Sequence, residues 1–242
     1  PPFTWEDSIA DIISKKFNKN VYIDNSSNAI AIAENWFGYG KNYNNFAVFC
    51  FGGKGEQTGL GAGLILENIL YQGSNNIVAE IGHITINNNG QKCWCGNFGC
   101  LNLFLNNYAM LKKYNELKKD FPECDLAKVN FDNNIEEIFN YRNEKDPIYN
   151  EFTNYVANYL AIAAINLFNI LDLEAIIIDF NESQNVNLFP LIKKVETIVR
   201  ARVFPNIRDK VKILDGKFKK DAELIGAASL VLNGMFNIEN IK

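Results

Sequence analysis

The chain has 242 residues, a formal net charge of −4 and a pI near 5.2, with 48% hydrophobic and 13% aromatic residues. That length and apolar content suit one large domain or two small lobes with a sizeable core, and the acidic balance without a basic patch excludes a tight grip on a nucleic-acid backbone by these residues alone. No apolar run approaches the ~20 residues that span a bilayer. The start, PPFTWEDSIADII, lacks the basic and apolar regions of a signal peptide, so a cytoplasmic protein with no membrane partner is expected. It also lacks an initiator Met, as a fragment of a longer chain would.

In chain order, DSIADIISKKF predicts a helix from its apolar spacing and acidic first turn. VYID at 21–24 reads as a short strand, and Ser27 to Trp36 as a helix rich in small residues. Phe46 to Phe51 is a fully apolar strand, followed by a glycine-rich loop from Gly52 to Gly61. AGLIL and ILY predict a hairpin around Glu67-Asn68. Leu101 to Phe121 is amphipathic and helical, and Ile148 to Leu171 is a long helix with an apolar centre. AIIID at 175–179 is a buried strand, Leu188 to Val203 a helix, VKIL at 211–214 a strand, and Asp221 to about Asn233 a closing helix. Strands alternating with helices predict an α/β fold with a mixed sheet flanked by helices.

The densest chemistry lies in EIGHITINNNGQKCWCGNFGC. It contains the sole histidine, His83, and three of the five cysteines, Cys93, Cys95 and Cys100. A lone histidine is ordinarily a hydrogen-bonded core residue. Three thiols close behind it in a glycine-rich stretch instead make the ligand set of a closed, tetrahedral structural zinc site. With three cysteines assigned to metal there is no disulfide framework, and a reducing compartment fits. Cys50, inside the apolar strand, is expected to be an inert buried thiol, and Cys124 in FPECD a surface thiol.

Thr58, Gly59, Gly61 and Gly63 form a TGxGxG stretch. Its glycines could admit a phosphate to the backbone, or simply make a glycine-rich hairpin. A strand follows, not a helix, which argues against a dinucleotide fingerprint.

Taken together, TGLGAGLI at 58–65, EIGH at 80–83 and CWCGNFGCLN at 93–102 resemble the ROK family (repressor, open reading frame, kinase) of bacterial sugar kinases and sugar-responsive repressors. The likeness runs from WEDSIADIISKKFNKNVYIDN to DAELIGAASL, nearly the whole chain. It implies the actin-like ATPase (ribonuclease H-like) fold with a small zinc knuckle. Residues 1–242 correspond to the C-terminal, sugar- or effector-binding part, without the N-terminal lobe or a helix-turn-helix. The resemblance also implies a sugar cleft contacted by Asn25, Glu80 and His83, with Asn102 where the family carries Glu. Thr58, Gly59, Gly61 and Gly63 match its phosphate loop.

Two departures bear on activity. The family kinases place an aspartate, the general base, after the asparagine that matches Asn25; here Ser26 stands there. A hydroxyl cannot take up a proton near neutral pH, and a positioned base contributes roughly 10²–10⁴ in rate. The family's Gly-Gly turn for adenosine is replaced by IIIDFNES, with Phe180 where backbone access is needed. The resemblance therefore implies a non-catalytic member with no catalytic residue, a regulator's effector domain for a small sugar or sugar phosphate. The alternative is an ATP-dependent sugar kinase with degenerate motifs. The regulator would meet DNA only through a segment outside these residues, and a homo-oligomer is implied.

Overall fold

The computed structural model describes residues 8–52, 59–131, 135–141, 143–180 and 187–236. Its centre is a five-stranded mixed sheet ordered β3-β2-β1-β4-β5. The strands are β1 (Phe46–Gly52), β2 (Gly59–Leu66), β3 (Ile69–Leu70), β4 (Ala175–Phe180) and β5 (Lys212–Asp215). β2 runs antiparallel to β1 and β3, while β4 runs parallel to β1 and β5. The seven helices among the described residues are α1 (Ile9–Phe17), α2 (Ser26–Phe37), α3 (Asn102–Leu105), α4 (Asn107–Asp120), α5 (Pro147–Leu171), α6 (Phe189–Arg202) and α7 (Ala222–Phe236). The expected α/β class and mixed sheet are both observed.

β1 and β4 are apolar throughout because both faces of the sheet are covered. Ala47, Phe49, Phe51, Ile176, Ile178 and Phe180 point to the larger core with α4, α5 and α6. Phe46, Val48, Cys50, Ala175 and Ile177 point to the smaller core under α2 and α7. The period-two alternation of strand side chains divides the two sets.

α5 begins at Pro147, with the Asp146 carboxylate accepting from the Ile148 and Tyr149 amides at 2.9 and 3.2 Å. At 25 residues and a mean hydropathy of 1.2 it is long and apolar enough to span a bilayer. Its Phe152, Val156, Leu160, Ala164 and Phe168 are instead buried in the larger core. The β2–β3 hairpin turns on Glu67 and Asn68, both at positive φ (53° and 64°), the type I′ geometry that suits the strand twist.

Four sequence expectations are corrected. VYID is not a strand: residues 20–25 are irregular and find no ladder partner among the described residues, and Tyr22 packs on Gly234 of α7. The helix expected over Leu101 to Phe121 is two helices. Asn106 adopts extended angles (φ −70°, ψ 162°), and its Oδ1 accepts from Ala109 N at 2.7 Å. That local bond starts α4 afresh in place of a continuous ladder. The glycine-rich segment is strand, not loop, from Gly59 onward. Thr58 lies outside the described residues. Cys50 is buried as expected, and burial pushes its thiol pKa strongly up. Cys124 is half-buried against the larger core, not free on the surface.

Candidate functional site

His83 ends a single 3-10 turn, Ile81–His83. The cysteines follow on a small knuckle held by two isolated bridges, Thr85 to Cys100 and Lys92 to Phe98. Its tip is tied by Cys93 N to Asn97 O (2.7 Å) and Gly96 N to Cys93 O (3.0 Å). Gly99, at φ 61°, lies so close to Asn87 that a Cβ would come 2.6 Å from the Asn87 carbonyl carbon; only glycine suits that position.

These turns bring the His83, Cys93, Cys95 and Cys100 ligand atoms within 4.8 Å of one another. Cys93 Sγ lies 3.6 Å from His83 Nδ1, and Cys95 Sγ 3.6 Å from Cys100 Sγ. Zinc–sulfur and zinc–nitrogen bonds of about 2.3 and 2.0 Å give tetrahedral edges of roughly 3.6–3.8 Å, so the cluster is compatible with a zinc site. The Asn97 amide lowers the Cys95 pKa, whereas burial raises that of Cys100 to about 12.

Glu80 sits immediately before the turn. Ile81 N reaches back to Ala79 O at 2.7 Å across Glu80, at φ −70°, ψ 52°. This is an inverse γ-turn. Ala79 beside it is held at φ 56°, a conformation that costs a non-glycine residue free energy and clusters at functional sites. The Glu80 carboxylate caps nothing and is exposed. One short turn thus carries an open carboxylate at one end and, at the other, an imidazole whose Nδ1 faces the cysteines.

Asn102, which stands where the family carries Glu, is held by the backbone of β2. Its Oδ1 accepts from Leu60 N at 2.8 Å, and its amide fills the space beside Gly59 and Gly82. It ties the first residues of β2 to the 81–83 turn. The glycines of the TGxGxG stretch are packing positions too. A Cβ on Gly61 would stand 2.7 Å from Ser27 Oγ, and one on Gly63 would stand 2.6 Å from the Ala31 Cβ. Their absent side chains let α2 lie directly on β2.

That contact fixes Asn25 and Ser26 at the α2 N-terminus. Asn25 is the N-cap, its Oδ1 accepting from Ser27 N at 2.8 Å, which leaves its amide nitrogen outward. Ser26 is exposed, with no carboxylate in its place. Residues 181–183 of IIIDFNES, where the family's Gly-Gly turn is expected, lie outside the described residues, and the ring of Phe180 lies inside the fold. It is buried and stacked on Phe51, centroids 4.1 Å apart, because its register on β4 turns it into the larger core.

Sequence reasoning missed two buried acids, one on α2 and one beneath it. Glu34 accepts from the Lys217 and Tyr39 amides at 2.7 and 2.8 Å. Asp179 is fully buried in register with Cys50, and neither of its oxygens has a hydrogen-bond partner among the described residues. Burial raises its pKa to about 7. The signal was an aspartate ending an otherwise apolar strand, AIIIDF.

A family model described as the ROK family matches residues 3–233. The chain belongs to the ROK family. It is 30% identical over 240 residues to a xylose repressor of Bacillus spizizenii, covering 98% of this chain and 57% of that protein. A glucokinase of Thermotoga maritima is 25% identical over 228 residues, 92% of this chain and 69% of the enzyme. Among solved structures, a ROK-family transcriptional regulator homologous to the E. coli MLC protein superposes with a TM-score of 0.78 at 27% identity. The match covers 92% of this chain and 54% of the regulator. The ROK fold assigns the mixed sheet and its flanking helices to the actin-like architecture. The chain spans just over half the length of the regulators it matches.

Proposed function

We propose that this ROK chain is the sugar-effector-binding part of a transcriptional regulator of carbohydrate metabolism, braced by one structural Zn2+. The observation that carries the reading is the 80–83 turn. It offers ligand groups for a sugar, an exposed Glu80 carboxylate and the second nitrogen of His83, while Ser26 supplies no base. The likeness to repressors over nearly the full chain supports the same conclusion.

In this reading zinc contributes only charge and rigidity to the knuckle. His83 Nδ1 binds the metal, which fixes the tautomer with a proton on Nε2, and that N–H donates to a sugar hydroxyl. Glu80 accepts from a second hydroxyl, and the free amide of Asn25 meets a third. Asn102 positions the turn through Leu60. Contact with DNA would come through a segment outside these residues, and sugar binding would change how two such segments are spaced in a homo-oligomer. Five free thiols suit a reducing cytoplasm.

The alternative, an ATP-dependent sugar kinase, is favoured by the glucokinase likeness and opposed by Ser26. One experiment separates them: calorimetric titration with pentoses, hexoses, amino sugars and their phosphates, beside a coupled ATP-turnover assay. A sugar should bind without measurable turnover. Glu80→Ala should weaken that binding about 10- to 100-fold, the loss expected for a hydrogen bond to a charged acceptor. Turnover at an ordinary enzymatic rate that survives Ser26→Ala would establish the kinase instead. A flat response to every sugar would leave the zinc cluster as a structural staple alone.

A further inference from the structure

We infer that Trp94 is a ligand-contacting residue, its indole stacking on the C–H face of a pyranose whose ring hydroxyls are equatorial. The inference rests on the sugar-binding reading above and extends it to a class of sugar. Trp94 occupies the tip of the knuckle, between the ligand candidates Cys93 and Cys95. Its surface is 74% exposed, although its turn is tied by backbone hydrogen bonds on both sides. An indole can bury 150–250 Å² of surface, and at this turn tip most of it is left open to solvent.

The indole is also aimed. It stands perpendicular to the His83 imidazole, centroids 4.9 Å apart at 89°. Because His83 Nδ1 faces Cys93, the ring edge left to a ligand is Nε2, and the indole stands beside that same ring. A sugar bonded at Nε2 would have the indole as its nearest exposed apolar surface on the imidazole, centroids 4.9 Å apart. Phe98, half exposed, lies on the opposite arm of the knuckle, across from Lys92.

A pyranose with only equatorial ring hydroxyls, such as D-glucose or D-xylose, turns axial C–H bonds to both faces. These suit the electron-rich face of an indole. An axial hydroxyl at C2 (D-mannose) interrupts one face, and an axial hydroxyl at C3 (D-allose) the other. Either would force a desolvated hydroxyl against the ring, so one of these two sugars should bind less well than glucose, according to which face is stacked.

The test is titration of wild type, Trp94→Ala, Trp94→Phe and Glu80→Ala with D-glucose, D-xylose, D-mannose and D-allose, each protein checked first for metal content. Trp94→Ala should bind glucose and xylose about tenfold more weakly and narrow the preference over the disfavoured epimer. Trp94→Phe, which keeps a ring, should stay within about threefold of wild type. Sugar should also shield wild-type tryptophan fluorescence from acrylamide, and that shielding should vanish in Trp94→Phe, where Trp5 and Trp36 remain. If Trp94→Ala binds within twofold of wild type while Glu80→Ala loses binding, the stacking role is overturned and the sugar site stands. If wild type answers to none of the four, and to no sugar in the wider panel, the underlying reading fails with it. Should Trp94→Ala lose metal, Trp94→Phe and the shielding experiment decide.

Discussion

Protein purified without added zinc should carry close to one equivalent of zinc per chain, and Cys93→Ser should lose it. Structural zinc contributes on the order of 10–16 kcal/mol to the folding of small zinc peptides. Here the sheet and helices have their own core, so the knuckle is the part at stake. If only about 4 kcal/mol of that contribution reaches global stability, the melting temperature of a domain this size falls by roughly 10–15 °C. The effect should also travel. His83 ends the turn that Glu80 begins, so loss of the metal frees both ends of the proposed sugar contact. Cys93→Ser should therefore lose sugar binding along with zinc, whereas Cys50→Ser, in the smaller core away from the ligand set, should keep both. Metal analysis with thiol titration of the native protein decides the matter: no zinc, with three freely titrating thiols, would overturn the assignment.

The second large effect is expected at Asp179. A carboxylate with no hydrogen-bond partner among the described residues is costly to ionise under α2, and Glu34 and Asp215 nearby add to that cost while Lys219 offsets part of it. Lys219 is itself paired with Asp215. The folded pKa of about 7 lies above the ordinary aspartate value near 3.9. Between those values the unfolded chain has released the proton while the folded protein still holds it. The folded state binds more protons, so stability falls as pH rises through this window and levels off above about pH 7. The full difference corresponds to about 4 kcal/mol as an order of magnitude. Glu34, its pKa also raised by burial, acts in the same direction. Asp179→Asn keeps the shape and removes the ionisation. It should be markedly more stable than wild type at pH 8 and close to wild type at pH 4.5, measured by denaturant unfolding at both. Equal stability of the two proteins at pH 8 would show that Asp179 finds a partner or remains solvated.

The sequence by itself determined the elements whose signal is local. The apolar runs of β1 and β4, the long α5 and the Glu67-Asn68 hairpin were legible because propensity, periodicity and turn chemistry act over a few residues. The ligand set was legible for the same reason: three cysteines and a histidine within eighteen residues can reach one ion whatever surrounds them. Tertiary structure decided what depended on distant partners. Residues 21–24 have strand character but no ladder to join among the described residues. Asn106 broke one helical pattern into two by capping the second. The glycines of β2 read equally well as a phosphate loop or a hairpin, and only the fold shows that Ser27 and Ala31 lie against Gly61 and Gly63. The bond from Leu60, forty-two residues away, makes Asn102 a brace between β2 and the 81–83 turn. Asp179 became a buried acid, and Phe180 a core residue, because the pleat sends neighbouring side chains to opposite faces and both faces of this sheet are covered. Which face is covered, and by what, is a property of the assembled fold, and a single sequence carries no local signal for it.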